Sequence, residues 1–301
     1  MVDITHKNTT HRSAVAEAIV SVSMAATMQA IRLGQVPKGD VFSFSKAAGL
    51  MGIKRTWETI PDCHPIPVES ATISHACEGL DIRITVEVKT VYKTGVEVEA
   101  MHGAAVTALT MYDMLKPIDP DIRIGSIRLV EKKGGKSDIR KSWPADLPVA
   151  IVTVNNSVLE GKTPDVSGDI IAAHLGKHGV PMPLRRIIDE SETSIIRESR
   201  ELMTKGYRLI LFCGGSGLQP TDVAPDAVSS LIDREVPGLM ETIRDYGRQR
   251  TPYALLGRGV AGFSGQTLLM TLPGSPRGAE ESMHAVFPQI LHVFRPERNT
   301  Q

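Results

Sequence analysis

Two different kinds of β-strand are written into this chain, and the change from one to the other rules out a single continuous fold. Over residues 80–88, Leu80, Ile82, Ile84, Val86 and Val88 alternate with Asp81, Arg83, Thr85 and Glu87. A period of two buries one face of a strand and leaves the other wet, the pattern of an antiparallel sheet. Residues 149–154 instead form a continuous, mostly β-branched run, as in a parallel strand covered on both faces. Between them the chain reads Lys132-Lys133-Gly134-Gly135-Lys136-Ser137, then polar residues up to Trp143-Pro144 and Pro148. This stretch is the expected boundary, with one domain over residues 1–140 and another over 148–301, and 301 residues suffice for two cores.

In the first half, residues 67–74 are the expected partner strand, joined through Cys77-Glu78-Gly79, and residues 122–130 a third. Helices fill the rest: one over 40–59 with Asp40 as N-cap, and one whose buried face is read as Val98, Met101, Ala105, Leu109, Tyr112 and Leu115. This predicts an α+β domain, an antiparallel sheet with helices on one side. The second half repeats strand and helix three times: 149–154 with 168–177, 184–188 with 192–205, and 207–213 with 222–234. Three such units predict an α/β domain, a doubly wound parallel sheet with helices on both faces.

Thirty-four basic residues balance thirty-four acidic ones, so no overall field draws the chain to nucleic acid or to an anionic membrane. An anionic substrate has to meet a local basic pocket. No apolar run approaches a membrane span, residues 1–12 are polar, and Cys63, Cys77 and Cys213 stand far apart, which together predict a cytoplasmic protein. The acceptor patterns at Asn8 and Asn155 are discounted accordingly.

Gly214-Gly215-Ser216-Gly217 follows a buried strand and precedes Thr221-Asp222 at a helix start. The glycines are either a tight turn or an anion cradle, in which backbone N–H groups meet a phosphate. Asp189 and Asp222 suit magnesium bound to a nucleotide, or else form a turn and cap a helix. The segments 165–169, 214–223, 234–238 and Leu272-Pro273-Gly274-Ser275-Pro276 together resemble the MoaB/MogA molybdopterin-binding family over nearly all of residues 148–295. Active members of that family adenylylate molybdopterin with ATP and Mg2+. The resemblance carries Asp189 and Asp222 over as catalytic carboxylates, and Gly214, Gly215, Ser216, Gly217 and Ser275 as pterin or phosphate contacts. Asp222-Val223-Ala224-Pro225 stands where the family has Asp-Val-Thr-Pro, and Thr221 replaces a common arginine. A non-catalytic pterin-binding or scaffolding module is therefore the alternative.

Cys63-His64 is not a zinc site, because four ligands cannot be assembled nearby; no metal ligands are assigned in either half. His174 and His178 are read as helix-surface histidines. Lys54 lies near a helix end, Asp113 and Lys116 are three apart on a helix, and Lys136 follows two glycines. Solvation is the ordinary role of lysine, whereas a pocket of reduced polarity would retune Lys116 as acid or base. Glu97 and Glu99 either bond a guanine-like edge or favour the helix dipole.

Lys38-Gly39-Asp40-Val41, Lys54-Arg55-Thr56-Trp57, residues 60–65, residues 93–100, residues 108–114 and Gly134-Gly135-Lys136-Ser137 are similar to the MoaC family. These six ordered blocks span residues 1–137. Its members convert 3′,8-cyclo-7,8-dihydro-GTP to cyclic pyranopterin monophosphate with release of pyrophosphate. The resemblance implies an active-site Asp113, proton transfer by Lys54 and Lys116, substrate contacts from Asp62, Cys63, His64, Glu97, Val98 and Glu99, and Arg12 and Lys136 on the triphosphate. Asp62 replaces a leucine, Val98 a methionine and Asp138 a glycine. The whole reads as a bifunctional protein of molybdenum cofactor biosynthesis acting on small molecules. No tightly bound cofactor is expected in the first half, and Mg2+ and ATP are expected in the second. Both families form threefold oligomers, with the synthase sites between subunits, which implies a homo-trimer or homo-hexamer.

Overall fold

The structure, a computed structural model, describes residues 1–135, 143, 144, 146–180 and 182–295. It divides into two compact units, Met1–Arg140 and Lys141–Gln301. Among the described residues no helix is long and apolar enough to cross a membrane.

The first unit runs β1 (Thr10–Ser21), α1 (Ala25–Arg32), α2 (Val41–Lys54), α3 (Thr56–Thr59), β2 (Ser70–Glu78), β3 (Asp81–Tyr92), α4 (Glu97–Leu115) and β4 (Arg123–Lys133). Its sheet has the order β2-β3-β1-β4, with every pair antiparallel. The alternating stretch becomes β3, where Ile82, Ile84, Val86 and Val88 are wholly buried. The expected strand at 67–74 starts three residues later, and β4 begins one residue after its expected start.

Strand β1, central in the sheet, is the element that hydrophobic patterning missed. Ala14, Ala16, Ala18 and Val20 alternate and are buried, but alanine has little apolar surface and weak strand preference. The expected helix over 40–59 is two helices that part at Arg55; Asp40 does cap α2, accepting from the Ser43 amide at 2.8 Å.

The face of α4 also differs from expectation. Val98 and Leu109 are exposed, while Ala100, Gly103, Ala104, Thr107 and Ala108 are buried. Small residues win this face because α4 lies on β1, β3 and β4 and against α2 at once, where large side chains find no room. Along α2 and α4 the close approaches run in opposite senses: Gly49 faces Thr107, Gly52 faces Val106, and Ile53 faces Gly103. The two helices are therefore antiparallel.

The second unit runs β5 (Val149–Val154), α5 (Asn156–Leu159), α6 (Val166–Lys177), β6 (Leu184–Ile188), α7 (Glu192–Thr204), β7 (Leu209–Cys213), α8 (Ala224–Ser229), β8 (Arg234–Glu235), α9 (Pro237–Arg248), β9 (Ala261–Ser264), β10 (Thr267–Leu272) and α10 (Pro276–Val286). The sheet order is β6-β5-β7-β10-β9-β8. Strands β5, β6, β7 and β10 are parallel, and β9 and β8 add an antiparallel edge. Helices cover both faces: Ile171, Met240 and Met283 belong to one core, and Ile195, Leu202 and Val228 to the other.

Two local readings are corrected. The helix expected over 222–234 is only α8, because Arg234–Glu235 leaves to pair with β9. His174 is buried rather than on the surface, since α10 packs over α6 and brings His284 and Phe287 against its ring.

A methyl group at position 49 would collide with Thr107 Oγ1 and lie 2.6 Å from Ile73 Cδ1. Gly49→Ala is thus expected to destabilise the first unit by roughly 1–3 kcal/mol, despite the better helix propensity of alanine. Urea unfolding followed at Trp57, in the first unit, measures this; an unchanged midpoint would contradict the packing described.

Candidate functional sites

In the first unit the chemistry is arranged around α4. Glu99 and Asp113 stand fourteen residues apart on this helix, which separates them by about 21 Å along its axis.

At its first turn, Glu97 pairs with Lys132 of β4 at 3.3 Å. Glu99 is buried, and that burial raises its carboxyl above the usual range. Because α2 runs antiparallel to α4, its last residue Lys54 reaches this same end. Cys63 and His64, half-buried, lie on the segment leading to β2. Burial, and then the charges of Glu99 and Asp62, push the Cys63 thiol up, which favours the neutral thiol over the thiolate.

Arg12 is the third residue of β1, and Ser13 after it pairs with Lys89 and Lys133 at this end of the sheet. The Arg12 guanidinium donates to the Gly134 carbonyl, and its Nε is buried without a hydrogen-bond partner among the described residues. Gly134 and Gly135 have φ of +83° and +143°, and a Cβ at 135 would strike the Arg12 guanidinium. The paired glycines make room for this cation. One end of the sheet thus gathers Arg12, Lys54, Cys63, His64, Glu97 and Glu99. Asp62 and Val98 are exposed there, and Lys136 lies outside the described residues.

The far end of α4 holds Asp113 between two ammonium groups, Lys116 Nζ at 2.8 Å and Lys38 Nζ at 2.7 Å. Lys38 was in the sequence block beginning at 38 but had no assigned role; its pairing with Asp113 needs the fold. The pocket of reduced polarity expected around Lys116 is not present in the single chain, where both side chains are about half exposed. Lys116 is raised by the hydrogen bond and charge of Asp113, which keeps it protonated.

Hydrogen bonds from Lys116 and then Lys38 hold the Asp113 carboxyl down to about 2. A lowered carboxyl favours the ion pair above its ordinary value, and the pair is lost as pH falls through about 2. Carboxyl NMR is expected to titrate Asp113 near that value. In a Lys38→Met, Lys116→Met variant it should return to about 3.9.

In the second unit a cleft of about 150 Å³ opens at the carboxyl ends of β5 and β7. Since β6 and β7 lie on opposite sides of β5, this is the sheet's switch point, where ligands of such sheets bind. Thr153, Asn155, Asp165, Ser167, Cys213 and Gly214 line it. Asp165 caps α6 through the Gly168 amide at 3.0 Å, accepts from Thr153 Oγ1 at 2.9 Å, and pairs with Arg185. Asp165 lies in a segment of the family resemblance without a role of its own there; its position three residues before Gly168 is a capping signal.

Gly214 and Gly215 take φ of +106° and +58°, and a Cβ at 214 would collide with the Val154 carbonyl. The Gly214 amide is used on Leu272 O, while those of Gly215, Ser216, Gly217 and Leu218 bond no oxygen among the described residues. Ser216 bonds Leu272 O, and Ser275 caps α10. Asp222 caps no helix but accepts from the Gln219 amide at 2.8 Å. Asp189 forms the turn before α7, accepting from Ser191 and from Ser194 Oγ, and these bonds lower its carboxyl. Strand β5 separates Asp189 from the Gly214 turn by two strand spacings, about 10 Å.

Asp165→Ala removes the acceptor of Thr153 and one of the two carboxylates that meet the half-buried Arg185 guanidinium, and an expected cost is about 2–3 kcal/mol to the second unit. Asp165→Asn keeps the cap and costs less. Guanidinium unfolding of both variants checks the order, which equal losses would contradict.

Comparison with known proteins addresses both units. The MoaC family model matches residues 1–135, and the model described as "Probable molybdopterin binding domain" matches residues 150–292. A "Molybdenum cofactor biosynthesis bifunctional protein" of Chlorobaculum tepidum is 33% identical over 98% of this chain and 93% of its own. One of Synechococcus elongatus is 32% identical over 97% and 95%. A "Cyclic pyranopterin monophosphate synthase" of Clostridium perfringens is 45% identical over 46% of this chain and 87% of its own. With two unlike units in this order, each matched by its own family and both spanned by single relatives, the chain belongs to the molybdenum cofactor biosynthesis bifunctional proteins.

Proposed function

We propose that the first unit converts 3′,8-cyclo-7,8-dihydro-GTP to cyclic pyranopterin monophosphate with release of pyrophosphate, and that its site is completed by a second copy of the chain. The separation of the polar groups along α4 carries this reading. Arg12, Lys54, Glu97 and Glu99 sit at one end and Asp113, Lys116 and Lys38 at the other, too far apart to meet one small substrate within one chain. Phe44, Met51, Trp57 and Leu109 are all more than two-fifths exposed, an apolar set that a second copy would cover. A trimer or hexamer fits this arrangement. Glu97 and Glu99 would meet the guanine-derived edge, Arg12 and Lys136 the triphosphate, and Lys116, kept charged by Asp113, would give a proton while Lys54 moves another.

Lys54→Ala and Asp113→Asn are each expected to lower turnover by at least about a hundredfold. Mixed and reassembled, the two inactive variants should recover up to about a quarter of wild-type activity if dimers exchange at random, because a mixed pair carries one intact site. Mixtures as inactive as their components would defeat the two-copy site.

For the second unit the reading is molybdopterin binding at the cleft and adenylylation with ATP. Magnesium fits the donor set, since it is held by one or two carboxylates together with substrate phosphates and water; Asp222 would hold it beside the amides of residues 215–218. When bound, the ion draws charge from the phosphates. Asp165 and Ser167 would orient the ligand, and the buried walls of β5 and β7 exclude water. Adenylylated molybdopterin is expected from the full chain but not from Asp222→Ala. Binding without product in the wild-type chain would instead leave a pterin-binding module.

A further inference from the structure

Arg258 stands in the loop entering β9, and it spends its guanidinium on one turn. Its Nε donates to Gly217 O at 2.9 Å and its Nη2 to Asp222 O at 2.5 Å. Nη1 and Nη2 each donate to the Asp226 carboxylate at 3.2 Å. Gly217 and Asp222 are the two ends of the segment that follows the glycine turn, so one side chain fastens both.

Inside that segment, Asp222 Oδ2 accepts from the Gln219 amide at 2.8 Å. It also lies so near Gly217 that a Cβ there would stand 2.6 Å from it. The carboxylate is therefore positioned by the shape of the turn, and Arg258 fixes that shape. The guanidinium takes the backbone oxygen of Asp222 and the carboxylate of Asp226, whereas no bond runs from it to the Asp222 carboxylate. Asp222 is thus held in place without being neutralised by the cation that holds it.

We propose that Arg258 is a positioning residue for Asp222, a clamp on residues 217–222 whose fork is required because two carbonyls and a carboxylate must be met at once. The proposal rests on the adenylylation reading for its kinetic consequence only. Exposed ion pairing with Asp226 contributes little by itself; its role is to orient the fork.

The test uses the full chain as wild type, Arg258→Ala and Arg258→Lys, with amide exchange at Gln219 and steady-state adenylylation measured on each. Loss of charge-assisted bonds to a half-exposed turn is expected to speed exchange at Gln219 and to lower kcat, each by about tenfold in Arg258→Ala. The KM for molybdopterin and the exchange of β5 and β7 amides should stay near wild type. Added guanidinium ion should restore part of kcat in Arg258→Ala and not in Arg258→Lys, where the ammonium fills the site. Wild-type exchange at Gln219 in Arg258→Ala overturns the clamp, as does full activity of Arg258→Lys without slowed turnover. If the wild-type chain forms no adenylylated product, the adenylylation reading fails, and the Gln219 exchange alone then decides the clamp.

Discussion

How closely helix α4 approaches the sheet governs the first unit. Alanines on both sides of the contact, Ala14, Ala16 and Ala18 from β1 and Ala100, Ala104 and Ala108 from α4, are buried to the last few per cent. Glycines do the same between α4 and α2, where Gly49 and Gly103 leave no space for a methyl group. Small residues allow short interaxial distances and dense packing, and they tolerate no enlargement. With its small residues turned inward, α4 turns Leu109 outward, and α2 likewise leaves Phe44 and Met51 exposed. The packing that fixes the polar groups at the two ends of α4 therefore also creates the surface by which another copy would bring opposite ends together.

The second unit solves its positioning problem through the sheet rather than through a helix contact. Strands β6 and β7 leave β5 in opposite directions, and the divergence of the segments that follow opens the cleft. Charge near the cleft is balanced locally: Asp165 meets Arg185 while capping α6, and Asp169 takes the other arm of the same guanidinium. A capped helix and a satisfied ion pair together hold the cleft wall.

What could be read in the sequence follows from how local each signal is. The alternation at 80–88 and the apolar run at 149–154 announced their strands and the difference between the two sheets, because period and burial are properties of the segment itself. The alternation in β1 was equally regular, but its alanines carry too little apolar surface to stand out. The face of α4 is hidden for the complementary reason: the large apolar residues mark one side of the helix, while close approach to the sheet selects the small ones. Lys38 and Asp165 lay inside quoted segments, yet their partners are 75 and 20 residues away, and only the fold supplies them. Asp189 and Asp222 were legible as acids at strand ends, but not their separation by β5.

The two units use aspartate in opposite electrostatic settings. Asp113 is enclosed by Lys38 and Lys116, and its charge keeps the Lys116 ammonium protonated. Asp222 is fastened by an arginine that reaches its backbone and the neighbouring Asp226. Its carboxylate accepts a single backbone amide, from Gln219. The Asp222 carboxylate thus has a backbone partner where that of Asp113 has two ammonium groups. In a chain whose total charge is zero, this local choice of partner, rather than any overall field, distinguishes the two aspartates.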